Sequence, residues 1–482
     1  MSLEQFDVLI VGAGLSGIGA ARHLQALCPG KTYAVLEARD GIGGTWDLFR
    51  YPGIRSDSDM YTLGYSFRPW REAKAIADGP SILSYVRQTA KDEDIERHIR
   101  FRQRVVRSSW SSQEARWTVE AQSPEGEIRR YSCRFLFNCS GYYDYSAGYM
   151  PDFPGAEQYR GRLVHPQQWP QDLAYKGKRV VVIGSGATAV TLVPAMAREA
   201  AGVTMLQRSP TYIMSLPAED AIANFLRAIL PAKLAYGIVR WKNVLMGMLF
   251  YQLCRRQPEF VRKLLRKGVE KMLGPGFDID RHFDPSYKPW DQRLCLVPDG
   301  DLFRALRKGQ AQIVTDHIER FTEKGILLKS GTELEADVVV SATGLRLMPL
   351  GGAQLEVDGK PVELSKTMSY KGMMLSGVPN LAIALGYTNA SWTLKCDLTC
   401  EYVCRLLKHM DRQGHTHCVP QNDDPTVSEV PFIDFSSGYV QRAIDQFPRQ
   451  GSRAPWKLYQ NYALDLATLR FGGLDDGAMR FV

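Results

Sequence analysis

The chain has 482 residues, 45% apolar and 23% charged, which suits a folded protein of about three structural units and excludes disorder, collagen and coiled coil as whole-chain descriptions. Nine cysteines are too sparse for a disulfide scaffold, and an odd number cannot pair completely, so a reducing compartment is expected. The net charge is +8, of which +7 falls in Leu216–Pro275, where 11 Lys/Arg face 4 Asp/Glu; the near-neutral remainder argues against nucleic acid as a partner.

The amino terminus, MSLEQFDVLIVGAG, has acids inside its apolar stretch and lacks the basic start of a signal peptide. No uncharged run approaches the ~20 residues of a spanning helix. A cytoplasmic protein is expected. Phe6–Val11 reads as a buried parallel strand, followed directly by Gly12-Ala13-Gly14-Leu15-Ser16-Gly17. In a Rossmann unit, Gly12 makes the tight turn, Gly14 and Ser16 admit a pyrophosphate, and Gly17 lets the helix pack closely. The diphosphate sits where free N–H groups and the helix dipole favour anions. Glu37, ending a second strand Tyr33–Leu36, stands at the spacing of a ribose-binding acid.

A second such unit begins at Val180–Ile183, followed by Gly184-Ser185-Gly186-Ala187-Thr188-Ala189 and then Val190. Its own second strand, Val203–Leu206, ends in Gln207-Arg208-Ser209. A carboxylate there would repel a 2′-phosphate, whereas a guanidinium grips it in a fork. The first turn therefore reads as an FAD or NAD site and the second as an NADPH site with Arg208 and Ser209. Two more strands end in small residues, at Phe135–Gly141 and Val338–Gly344, and Pro151 to Pro154 punctuates the connection. The fold expected is α/β, with two Rossmann-like domains, the NADPH domain inserted into the flavin domain. The flavin domain takes 1–144 and 345–482, and the NADPH domain 145–344, containing a mainly helical insert at 216–290.

A flavin disulfide reductase needs a close redox Cys pair. Cys133 and Cys139 are too far apart, and Cys396, Cys400 and Cys404 recur on one helical face as small buried hydrophobes. No His/Cys cluster has zinc spacing. Disulfide exchange and metal chemistry do not fit, which leaves a dehydrogenase or an oxygenase.

Here the chain resembles the class B flavoprotein monooxygenases of Baeyer–Villiger type. The segment Gly43-Gly44-Thr45-Trp46-Asp47-Leu48-Phe49-Arg50-Tyr51-Pro52-Gly53-Ile54-Arg55-Ser56-Asp57 agrees with their long fingerprint at every fixed position. A second fingerprint appears at Tyr159–Pro170, with Gly161, His165 and Trp169 in register and Tyr159 in place of Phe. The stretch Gly386–Lys395, GYTNASWTLK, is most similar to the ethionamide-activating branch. The resemblance implies FAD and NADPH as cofactors, with flavin contacts at Gly44, Thr45, Trp46, Asp47, Leu48, Arg55, Ser56, Asp57 and Val105. It implies a peroxyflavin anion that attacks a ketone carbonyl to give an ester or lactone, and oxidation of sulfides as well. It places the essential arginine at Arg293, paired with Asp57; an always-charged donor fork suits the negative charge that develops. His165 is implied to act at the domain junction, away from the flavin. Trp46, Trp169 and Trp392 serve either the site or the core.

Two rivals stay open. An N/S-oxygenating flavin monooxygenase usually has Tyr or Phe where this chain has Trp169, and a nucleotide-binding redox sensor would not need Asp57 and Arg293. For the basic insert, helices are expected at Ile222–Leu230, Lys233–Arg256 and Pro258–Leu273. It serves either as a cover packed on the NADPH unit over the substrate channel or as a peripheral contact with an anionic membrane. Neither the particular ketone or sulfide nor the oligomeric state is legible.

Overall fold

Short apolar runs that lack helical periodicity can be satisfied on both faces only inside a parallel sheet, and two such sheets organise the chain. The computed structural model describes residues 3–482. In the first sheet the parallel strands stand in the order Ile99–Arg100, Tyr33–Leu36, Glu4–Val11, Ile128–Asn138 and Leu381–Ile383. Strand Ile128–Asn138 has 11 residues, enough to hold Leu381–Ile383 at its carboxyl end and the antiparallel strand Arg116–Gln122 at the other. Arg104–Ser111 pairs antiparallel with that strand, and Gln354–Val357 adds to its far side in parallel. The helix Trp392–Gln413 covers the first sheet beside helix Leu15–Leu27. It buries Cys396, Cys400 and Cys404, and all nine cysteines are free and buried.

The second sheet is wholly parallel, in the order Ala311–Thr315, Gly202–Gln207, Arg179–Ile183, Val338–Ser341 and Arg162–Val164. Its strands therefore repeat the order of roles in the first sheet. The chain leaves the first sheet after Asn138 and returns after Ser341, and the two connections run side by side. Asp144 N donates to Arg346 O at 2.9 Å, Met348 N to Tyr142 O at 2.8 Å, and Tyr149 N to Gly344 O at 3.1 Å. His165 is wedged onto this crossing. Its Nδ1 accepts from Gln167 N at 3.2 Å, so the other nitrogen must carry the proton it gives to Gly344 O at 3.0 Å. A Cβ on Gly148 would lie 1.9 Å from the imidazole, so only glycine there leaves room for the ring.

The helices Ala221–Ile229, Ala232–Arg256, Pro258–Leu273 and Ile279–Phe283 form the insert. Leu216 itself belongs to a strand, Ile213–Leu216, whose partner Cys295–Pro298 closes the insert at its base. The insert packs on the second unit, as expected, and on the first unit as well. Val269, Leu273, Ile279 and Phe283 join the core of the second sheet, while Ala223, Tyr236 and Val239 join that of the first. Arg240 fixes the second attachment. It is buried, donates to the carbonyls of Tyr61 and Gly64 at 2.8 and 2.7 Å, and meets Asp397 at 3.3 Å. Burial alone would raise the Asp397 carboxyl, but His23, Arg240 and the Ser66 N–H hold it below its ordinary value. Such a pair gives little net stability over apolar packing, yet losing one partner is costly.

The His165 arrangement predicts a pH dependence. Burial lowers its pKa, so the unfolded chain takes up the proton first and its contribution is complete above about pH 6.5. That contribution is lost as pH falls towards the lowered folded value. The difference in Tm between the wild type and His165→Gln should therefore be larger at pH 8 than at pH 5.5; a constant difference would contradict the neutral, wedged imidazole.

Candidate active site

Two glycine turns face each other across one cavity of about 1210 Å³, larger than the usual site for one small ligand. At the first, Gly12 has φ +99°, and a Cβ would stand 2.7 Å from Cys139 O. At the second, Gly184 has φ +133°, and a Cβ would stand 2.4 Å from Ala342 O. Each turn is thus held against the small-residue strand end of its own sheet. The helices that follow, Leu15–Leu27 and Ala187–Met196, begin at Gly14 and Gly186 with no side-chain cap. Their first N–H groups and positive dipole ends are free for an anion. The Gly186 Cβ position meets nothing within 4 Å, leaving its backbone open to the cavity.

The two halves differ in charge. Glu37 is buried, accepts from Ala13 N at 2.7 Å and from Arg39 N at 2.9 Å, and is raised by burial above the ordinary carboxylate range. Arg208 stands at the cavity wall with Ser209, exposed and without an ion pair to any described residue. An uncommitted guanidinium beside an open glycine turn suits a phosphate.

Ser16, Gly44, Thr45, Trp46, Arg55, Ser56, Asp57 and Val105 line the same cavity, as do Ser185, Ala187 and Thr188. Thr45 Oγ1 lies 3.0 Å from Tyr145 OH, and Ser16 Oγ accepts from Trp392 Nε1 at 2.8 Å. Arg55 reaches across the halves to Asp301, at 2.5 and 3.3 Å. Five residues expected at the site stand behind its wall. Gly17 is packed under Gly12, and Ala189 and Val190 are buried in their helix. Leu48 packs against the second core. The Asp47 carboxylate is taken up by Arg39, Arg87 and Arg50 at 2.7, 2.9 and 3.3 Å, so it braces the loop.

The fingerprint loop ends in the central pair. Asp57 grips Arg293 in a fork, Oδ2 to Nε at 2.7 Å and Oδ1 to a terminal nitrogen at 3.0 Å. Arg293 lies just before strand Cys295–Pro298, where the two halves of the cavity meet. The Asp57 charge holds the guanidinium further above its already high value, and burial pushes the Cys295 thiol up to about 12. Beyond Arg293 a smaller pocket of about 50 Å³ is walled by Leu385, Phe432, Phe435, Val440 and Phe447. Tyr142 and Tyr439 line both spaces, and Tyr142 OH is 3.4 Å from Tyr143 OH. Burial raises all three phenols, keeping them neutral beside the cation. Of the tryptophans, Trp46 and Trp392 line the cavity, whereas Trp169 packs on the second core near Tyr175. The tyrosines were missed in the sequence. Tyr142 follows a strand end, which is a usable signal, but Tyr439 carries none.

Comparison with known proteins agrees with this geometry. The family model described as flavin-binding monooxygenase-like matches residues 6–410. The chain is 56% identical over 479 residues to the FAD-containing monooxygenase EthA of Mycobacterium tuberculosis (strain ATCC 25618 / H37Rv), covering 99% of this chain and 98% of that one. It is 53% identical over 479 residues to EthA of Mycolicibacterium smegmatis, covering 99% and 97%. Among solved structures, oxidized steroid monooxygenase bound to NADP shares the fold, with a TM-score of 0.78 at 22% identity over 99% of both chains. The chain belongs to the flavin-binding monooxygenase-like family.

Proposed function

We propose that this protein is an NADPH- and O₂-dependent flavin monooxygenase of Baeyer–Villiger type, converting ketones to esters or lactones and oxidising sulfides. The observation that carries the reading is the forked Asp57–Arg293 pair at the meeting of the two glycine turns. The family membership and the FAD-containing relatives support the flavin. FAD fits the first half, with its turn at Gly12–Gly17, Glu37 at the ribose distance and the loop Gly44–Asp57. NADPH fits the second, with Gly184–Thr188 and Arg208. On this reading 1–144 with 345–482 form the FAD domain and 145–344 the NADPH domain.

When bound, the two cofactors supply reducing equivalents and activate O₂. The chain's own residues then have distinct tasks. Arg293 offers a fixed positive charge to oxygen atoms on which negative charge grows, in a space that aromatic walls keep poor in water. Asp57 aims that guanidinium without neutralising it by proton transfer, since Arg keeps its proton. Neutral Tyr142 and Tyr439 add donors without a competing negative charge. The apolar pocket behind them holds the carbon skeleton of the ketone. Among small-molecule substrates this favours carbonyl compounds and sulfides that carry an apolar group. Among the described residues no helix is long and apolar enough to cross a membrane.

Cofactor choice is tested at Arg208. Arg208→Ala should raise KM for NADPH roughly 10- to 100-fold, the worth of a charged hydrogen bond, and change KM for NADH little. Equal loss for both would show that Arg208 does not read the 2′-phosphate.

Oxygen transfer is tested at Arg293. Arg293→Ala should keep its flavin, judged by absorbance, while ester formation falls by about 10²–10³ and NADPH oxidation becomes uncoupled or slow. Arg293→Lys, which keeps the charge but loses the fork, should recover part of the activity. Near-normal ester formation by the alanine variant would remove Arg293 from the reaction.

A further inference from the structure

The insert is apolar on two opposite sides; one is packed, and the other is largely exposed, with Trp241 meeting the Tyr462 ring at 5.6 Å. On helix Ala232–Arg256 the buried side carries Tyr236, Val239, Arg240 and Val244. The other side carries Leu234, Ile238, Trp241, Leu245 and Leu249, at three- and four-residue spacing and 43–70% exposed. The preceding helix adds Ile222, Phe225 and Ile229, each at least 55% exposed. Scattered exposed hydrophobes are ordinary, but a continuous stripe on adjoining helices marks a contact surface.

The charges of the segment divide in the same way. Arg240, Lys242, Arg255, Arg262 and Arg266 are paired with Asp397, Asp220, Asp291, Asp284 and Glu270. Lys233, Arg256, Lys263, Lys267 and Lys271 are exposed and have no ion pair with a described residue. On helix Pro258–Leu273, Phe260, Lys263, Leu264, Lys267 and Lys271 share one outward face, opposite buried Val261, Leu265, Val269 and Leu273. Arg256 continues the outward stripe of the longer helix, seven residues beyond Leu249. Large apolar side chains bordered by uncommitted cations match the interfacial plane of an anionic bilayer. A second copy of the chain would bring the same positive charge to the contact, which disfavours self-association through this face.

The stripe also lies over the site. On the inner side of the same helix Val244 packs with Tyr387 and Leu394, and the Tyr251 ring meets Trp290, three residues before Arg293, at 5.8 Å. The outer stripe is thus one helix diameter, about 10–12 Å, from residues bordering the small apolar pocket.

We propose that this face seats on an anionic lipid surface, and that the enzyme draws apolar substrates from the bilayer beneath it. The second statement rests on the monooxygenase reading; the first stands without it. The flavin-loaded full chain should cosediment with vesicles of phosphatidylglycerol and phosphatidylcholine at low salt, less at high salt, and little with phosphatidylcholine alone. Lys263→Gln, Lys267→Gln and Lys271→Gln should each weaken partitioning about five-fold. The double variant Leu245→Gln, Leu249→Gln should weaken it further, while both sets keep bound flavin and turnover of a water-soluble ketone. Vesicle binding is read without turnover, so its outcome is separate from that of the reaction assignment. A protein that stays in the supernatant with anionic vesicles at low salt overturns the proposal. So does wild-type binding by the lysine variants, or a dimer in solution that buries Leu245 and Leu249.

Discussion

The site depends on one ion pair between parts of the chain 236 residues apart, Asp57 with Arg293. Both side chains retain about a third of their surface towards the cavity, so the pair contributes little to stability. Its effect is orientation. Asp57 ends a loop whose Phe49 and Tyr51 sit in the core of the second sheet, while Trp46 packs against the core of the first. The carboxylate therefore takes its position from both halves at once. The fork it makes can place the guanidinium only while the halves are docked.

That dependence gives the connections between the halves their meaning. The outward and returning connections are hydrogen-bonded to one another, His165 bonds across them, and Arg55 reaches to Asp301. None of these groups faces the reacting carbonyl in the proposed function. They fix the angle at which a turn shaped for one dinucleotide meets a turn shaped for the other. A wedged neutral histidine is suited to that task, since one ring nitrogen accepts from Gln167 while the other donates to Gly344 of the returning connection.

Much of the fold is legible because its elements rest on local rules. The strand Tyr33–Leu36 and the helix Pro258–Leu273 fall on their expected limits, and the glycine turns follow their strands directly. What was not legible is non-local. Asp47 has the look of a cofactor ligand in sequence, but three arginines from separate segments consume its charge. Tyr439 stands beside Arg293 from the carboxyl-terminal part of the chain, on the helix Gly438–Gln441, whose four residues are too few to show a period. For helix Ala232–Arg256 the sequence shows apolar residues nearly all round and cannot say which side is packed. Only the fold reveals that one of those sides is left largely to solvent, above the pocket.

The central claim is that the pocket beside Arg293 delivers one atom of O₂ to a carbonyl compound. The most direct measurement is the mass of products formed by the wild type from a panel of aliphatic and aryl ketones with NADPH under ¹⁸O₂. The account predicts esters or lactones carrying one ¹⁸O atom, at the single-bonded oxygen of the new group. Products without the label, or NADPH oxidation that yields only hydrogen peroxide with every ketone, would contradict it.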